Sequence, residues 1–271
     1  MYDSQQTWEE AVLWLREQPE QADLVRACFF DDPLRDAADR YHMSTEWAEV
    51  RSLVGCGGGT VLDVGAGRGI SSYAFAQDGW RVTALEPDPS PVVGAGAISA
   101  LAAESGLPIS VVQAWGESLP FADRSFDLVY GRQVLHHAAD LGGLCSEMAR
   151  VLKPGGAFLA SREHVVAKRE NLHDFLARHP LHQLYGGEHA YLLQEYKGAI
   201  RNAGIRIDKV INPWASPINY YPKTIEQISS LIRQRVPVVP ARLLTPRILG
   251  LLGWMHRTPG ASYSFFGVRE E

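Results

Sequence analysis

The chain has 271 residues, is 46% hydrophobic and carries a formal net charge of −5, which allows one large α/β core but gives no basic excess, so nucleic acid is not expected as a partner. Its three cysteines, Cys28, Cys56 and Cys145, stand singly, which argues against a disulfide framework or a cysteine-based zinc site and for a reducing, cytoplasmic compartment. The first ten residues carry no basic or apolar signal segment, and no run is apolar enough to span a bilayer.

Residues 1–55 read as an N-terminal helical cap, because Trp8, Val12 and Leu15, then Trp47, Val50 and Leu53, recur at helical spacing around a break at Asp31-Asp32-Pro33. Residues 56–163 alternate strand and helix. Strands are expected at 61–64, 82–85, 109–113, 126–130 and 157–162, with helices from 70 to the Asp78-Gly79 stop, over 92–105 and through 151–152. Lys153-Pro154-Gly155-Gly156 reads as a tight turn into the last of these strands. Such alternation predicts a Rossmann-like, doubly wound, mostly parallel sheet covered by helices on both faces. Residues 164–271 supply the last core strands, 205–211 and 262–268, together with helical lid insertions, all within one integrated domain. Helices are expected at 191–203, 225–236 and 241–257, punctuated by Pro237, Pro240 and Pro246.

The segment VLDVGAGRG, residues 61–69, is a buried strand running into a glycine turn at the head of a helix. Gly65, Gly67 and Gly69 leave the backbone bare for a ligand, and Glu86 ends the next strand about twenty residues on, as one βαβ unit requires. A carboxylate there has two acceptor oxygens for a ribose diol. Ile70 stands where the dinucleotide fingerprint places its third glycine, which disfavours NAD.

Four segments in order, VLDVGAGRG (61–69), ALEPD (84–88), ESLPFADRSFDLV (117–129) and VLHH (134–137) with RVLKPGG (150–156), make the chain resemble the class I S-adenosylmethionine-dependent methyltransferases, most closely their small-molecule branch. The resemblance implies S-adenosyl-L-methionine as cofactor, with Asp63, Gly65, Ala66, Gly67 and Gly69 against its methionine moiety and Glu86 on its ribose. It also implies Pro87 and Asp88 beside the adenine, with Gly116 and Glu117 as neighbours. Where the family often carries an acid, this chain has Trp115, whose indole either stacks on the adenine or points into the core. Gly131, Arg132 and Gln133, after the fourth strand, are expected along the methionine side.

An in-line methyl transfer to a hydroxyl needs alignment, exclusion of water and a base. The candidates are His164 and then His137, with Glu163 at the same carboxyl edge of the sheet for substrate binding or proton transfer; a salt-bridged loop entry is the bland alternative. Tyr41 is a candidate ring near the sulfonium. The stretch HPLHQLYGGEHAY (179–191) reads as a polar wall over the substrate, with Asn219-Tyr-Tyr221 either part of it or a packed loop. A metal held by His179, His182, Glu188 and His189 is the weaker reading, and no metal site is expected. The 241–257 segment reads as a lid helix rather than a membrane-surface helix. The expectation is O-methylation of a small-molecule substrate. N- or C-methylation, or a methyltransferase fold that binds the cofactor without methylating, is the alternative. Nothing in the sequence sets the oligomeric state, and a homodimer is compatible with it.

Overall fold

The computed structural model describes residues 6–235, 244–256 and 258–271. The strands are β1 (Thr60–Val64), β2 (Arg81–Leu85), β3 (Ile109–Val112), β4 (Phe126–Arg132), β5 (Leu152–Val166), β6 (Tyr191–Leu192), β7 (Ile205–Ile211) and β8 (Ala261–Arg269). The helices are α1 (Trp8–Glu17), α2 (Ala22–Ala27), α3 (Leu34–His42), α4 (Thr45–Val54), α5 (Ile70–Gln77), α6 (Ala95–Ser105) and α7 (Leu141–Val151). They continue with α8 (Asn171–Leu176), α9 (Pro180–Tyr185), α10 (Leu193–Asn202), α11 (Pro217–Tyr220), α12 (Ile225–Arg235) and α13 (Pro246–Gly253). The sheet order is β3-β2-β1-β4-β5-β8-β7; β8 runs antiparallel to both neighbours, and β6 adds a short parallel pairing to the end of β5. The expected mostly parallel, doubly wound sheet is what forms.

Side chains of a strand alternate between faces, and the core divides accordingly. Leu62 and Val129 pack with Leu144 and Met148 of α7 and Tyr196 and Ile200 of α10. Val61, Leu128 and Tyr130 pack on the opposite side with Tyr41, Trp47, Val50, Tyr73 and Phe75 of α3, α4 and α5. The first 55 residues therefore divide. α3 and α4 are a full layer of the core, whereas Leu15 of α1 and Val25 of α2 pack with Leu181 of α9 in a separate small cluster.

Three expectations change. The 153–156 stretch is not a free turn: Leu152 pairs with Phe126 and Ala157 with Leu128, so the glycines bulge out of a longer β5. That strand continues past Arg162 to Val166, which carries Glu163 and His164 inside the sheet. Tyr191 and Leu192 lie in β6, and the helix begins at Leu193. The helix expected over 225–236 is seen to Arg235, and the one over 241–257 as Pro246–Gly253; residues 236–243 and 257, with Pro237 and Pro240, lie outside the described residues. No helix among the described residues is long and apolar enough to cross a membrane.

Candidate active site

At the carboxyl edge of β1 the chain turns through Gly65, Gly67 and Gly69 at φ of 61°, 54° and 81°, a region L side chains rarely adopt. A Cβ on Gly65 would lie 2.7 Å from Val134 Cγ2, whereas one on Gly67 would meet nothing within 4 Å. Gly67 thus presents bare main chain to open space. Opposite it, Glu86 at the end of β2 accepts hydrogen bonds from the backbone N–H of Gly67 (2.8 Å) and of Asp88 (3.1 Å). The residue is only 8% exposed, and burial pushes its pKa up to about 7 against these two donors.

Asp63 lies behind the turn. Its Oδ2 accepts from the hydroxyls of Ser71 and Ser72 at 2.7 and 2.6 Å, its Oδ1 has no partner among the described residues, and burial raises its pKa to about 6. Arg68, read only as part of the motif, ties the turn to the N-terminal region through the carbonyls of Phe29 (2.8 Å) and Asp31 (3.0 Å) and an ion pair with Asp32, and to the segment before α6 through the Val92 carbonyl (2.9 Å).

These groups open onto a cavity of about 650 Å³, within the usual range for a small-molecule site. Its walls hold most of the expected cofactor residues: Gly65, Ala66, Gly67, Glu86, Pro87, Trp115, Gly116, Glu117, Arg132 and Gln133. Gly69 and Gly131 lie behind this surface with Asp63, Gly69 heading α5 and Gly131 pairing in β4. Trp115 is 71% exposed at the rim, so it does not enter the core. The guanidinium of Arg132 is committed inward, donating to Glu46 at 2.7 and 3.2 Å and to Gln133 Oε1 at 3.0 Å.

The same cavity has a histidine wall. His136, His137, His164 and His179 all line it, with Glu188. His136 is buried, and its Nδ1 bonds Glu163 Oε2 at 2.7 Å. Burial opposes its charge, but Glu163 and Glu188 outweigh that and lift its pKa to about 9. The ring of His164 lies 4.5 Å from that of His136, and its Nδ1–H donates to the Gly260 carbonyl at 2.9 Å. Burial, reinforced by the charge of His136, pushes His164 well below the usual histidine range. Its other ring nitrogen therefore carries a lone pair. His137, exposed, donates from Nδ1 to the Gly187 carbonyl at 3.0 Å.

Glu163 does not face the cavity. Wholly buried, it also accepts from the backbone N–H of Val134 (3.1 Å) and His136 (3.0 Å), so it orients the histidine rather than meeting a ligand. Tyr41 is likewise core, its hydroxyl 3.3 Å from that of Tyr130. Besides Trp115, the aromatic rings lining the cavity are Trp8, Phe29, Phe30 and Tyr185; the sequence placed Trp8 only on a helix face and Tyr185 only within the 179–191 wall, and did not mark Phe29 or Phe30. Asn219, Tyr220 and Tyr221 line a second cavity, between β8 and α11–α13, and are not part of the histidine wall. Of the four metal candidates read from 179–191, only Glu188 joins a cluster of ligand-type atoms among the described residues; its companions are His136 and His164.

Residues 62–160 match the family described as "Methyltransferase domain". An uncharacterized methyltransferase of Mycobacterium sp. (strain JLS) is 38% identical over 52% of this chain and 52% of its own. A ubiquinone biosynthesis O-methyltransferase of Methylobacterium sp. (strain 4-46) is 34% identical over 47% of this chain and 49% of its own. The chain spans about half the length of the curated relatives it matches. In fold, geranyl diphosphate C-methyltransferase from Streptomyces coelicolor A3(2) superposes with a TM-score of 0.61 at 15% identity, covering 88% of this chain and 85% of that one. Motif order, sheet order and the glycine turn agree with these matches: residues 62–160 carry a methyltransferase domain of the class I fold.

Proposed function

We propose that the protein transfers a methyl group from S-adenosyl-L-methionine to a hydroxyl of a small-molecule metabolite. One observation carries the reading: a single cavity is lined both by the bare turn with Glu86 and by the histidine wall. The residues fit the donor on three counts. Gly67 leaves room where a Cβ would intrude, Glu86 offers a buried carboxylate for a diol, and Asp63 keeps an unpartnered acceptor beneath the turn. When bound, the sulfonium supplies an electrophilic methyl group.

The protein's own part is positioning. Gly65, Ala66 and Gly67 and the ends of β1 and β4 hold the donor, while Trp115, Gly116 and Glu117 border the other end of its seat. Trp8, Phe29, Phe30 and Tyr185 exclude water. Alignment of this kind contributes roughly 7–11 kcal/mol to lowering a barrier. The acceptor's proton leaves on the histidine side, where His164 and His137 are the groups in reach of the cavity. O-methylation is favoured over N- or C-methylation because this wall is built to handle an acidic O–H.

The test is incubation of the purified protein with isotopically methyl-labelled donor and a panel of phenolic, enolic and aliphatic hydroxyl metabolites. Label should appear in one acceptor class, with demethylated donor formed in equal amount. Tight binding of demethylated donor combined with transfer only to amines or carbon acids would refute the hydroxyl assignment, and no binding at all would refute the donor.

A further inference from the structure

His136 and His164 come from different elements, the 3-10 turn after β4 and the end of β5, and Glu188 from the loop after α9. Yet one nitrogen of each histidine and one oxygen of Glu188 lie within 4.8 Å of one another, on the wall of the cavity. His136 Nε2 and Glu188 Oε2 are both buried and face each other as an ion pair at 3.6 Å, with no hydrogen-bond partner among the described residues. A buried pair held at that distance leaves both atoms short of full satisfaction. Both imidazoles are also held from behind. His136 Nδ1 is bonded to the Glu163 carboxylate and His164 Nδ1 to the Gly260 carbonyl, which leaves both Nε2 atoms for the cluster, an incoming ion displacing the proton on His136 Nε2. Carboxylate–histidine and carbonyl–histidine contacts are the usual outer support of metal-ligating imidazoles.

We propose that His136, His164 and Glu188 form a site for one divalent first-row transition ion of the zinc class, with its remaining positions open to the cavity. Two imidazoles and a carboxylate are a borderline donor set suited to zinc, and three protein ligands with an open position are the pattern of sites that act on a substrate. Metal–ligand bonds of about 2.0–2.2 Å require the three atoms to draw in by about an ångström. The loop carrying Glu188 lies between two glycines, Gly186 and Gly187, and β6, and supplies that adjustment. The ion's role rests on the methyl-transfer reading: it would bind the acceptor's hydroxyl oxygen and lower its pKa, the proton passing to His137, since His164 is then a ligand. Binding of the ion itself does not depend on that reading.

The test strips the full chain with a chelator, then titrates it with Zn²⁺ by calorimetry and with Co²⁺ by visible absorption. One ion per chain is expected, with the d–d bands of nitrogen and oxygen ligation and with release of protons. His164→Asn and Glu188→Gln should each weaken Zn²⁺ binding at least 100-fold, and Glu163→Gln about 10- to 100-fold. His173→Ala, at an exposed histidine elsewhere, should change nothing. Should a variant fail to fold, the Co²⁺ spectrum of the unaltered chain decides alone. Absence of those bands, or Zn²⁺ affinity unchanged in both ligand variants, overturns the site. Titration of the stripped chain with demethylated donor separates the two ideas: donor binding without ion binding sinks only the metal site, and ion binding without donor binding sinks only the methyl-transfer reading.

Discussion

Glu86 is asked to be two things, a buried carboxyl in the free protein and a charged acceptor for a diol. Its pKa of about 7 lies above its ordinary 4.5, so between those values the folded chain holds a proton that the unfolded chain has lost. The contribution to stability is complete below about pH 4.5 and disappears as pH rises through about 7; at 1.36 kcal/mol per unit its full span is about 3 kcal/mol. Donor binding should follow the opposite course, strengthening as pH rises through about 7, because the ionised form accepts both ribose hydroxyls. Urea unfolding and calorimetry with demethylated donor across this range check both slopes, and Glu86→Gln should flatten the two together. Gly67→Ala acts nearby but differently. A left-handed alanine costs about 1–2 kcal/mol, and its methyl would project where the ligand is expected, so donor affinity should fall at least tenfold while the melting temperature drops only by a few degrees. Gly67 and Glu86 were legible in the sequence because both belong to one βαβ unit, in which spacing along the chain stands in for distance. Glu163 was not. The sequence placed it at the strand's carboxyl edge, but β5 continues to Val166, which puts it inside the sheet, against His136. The partners of Glu188 were illegible for a related reason: they lie 52 and 24 residues upstream, on other elements, so local spacing says nothing about them.

α4 is fastened to the sheet by charge as well as by packing. Glu46 is fully buried and meets two guanidinium groups, Arg132 from the end of β4 at 2.7 Å and Arg162 from β5 at 3.3 Å. Burial works against both cations; Arg132 nevertheless stays strongly protonated through Glu46, whereas Arg162 is pushed below its ordinary value. Replacing a hydrophobic trio with this one would be no gain, but removing one charge from it leaves others buried and uncompensated. Glu46→Gln should therefore destabilise the chain by about 3–5 kcal/mol in urea unfolding, well above the change for a surface carboxylate such as Asp208. A loss under about 1 kcal/mol would show that water reaches the guanidiniums. The elements themselves were readable wherever burial was two-sided and short: β1, β2 and β4 are near-continuous apolar runs, as parallel strands covered on both faces must be. The glycines of 153–156 misled because the same dipeptide serves a turn or a bulge, and only pairing with Phe126 and Leu128 distinguishes them. The split of the N-terminal region was hidden too. Helical periodicity shows that a face is buried, not which surface buries it.

Across the whole molecule the site lies between a rigid sheet edge and a roof made of two distant pieces of chain. Trp8 of α1 joins them, its ring 5.2 Å from Phe30 and 4.6 Å from Tyr185 of α9. The floor is held by a central sheet packed on both faces, whereas this roof rests on the small cluster of Leu15, Val25 and Leu181. Regions with few buried contacts open first and most often. Entry of donor and acceptor should therefore proceed by local opening of α1, α2 and α9, with β1 and β4 unmoved. Hydrogen exchange measured with and without demethylated donor should show added protection in residues 8–30 and 171–190 and no change in 60–64 or 126–132. Trp8→Ala removes the ring that joins the two halves. It should speed donor dissociation at least tenfold in stopped-flow displacement while association changes little, because the transition state for entry already has the roof open. If dissociation were unchanged and the exchange difference fell in β1 and β4 instead, the roof would be a fixed wall, and the ligands would have to enter past Trp115 at the exposed rim.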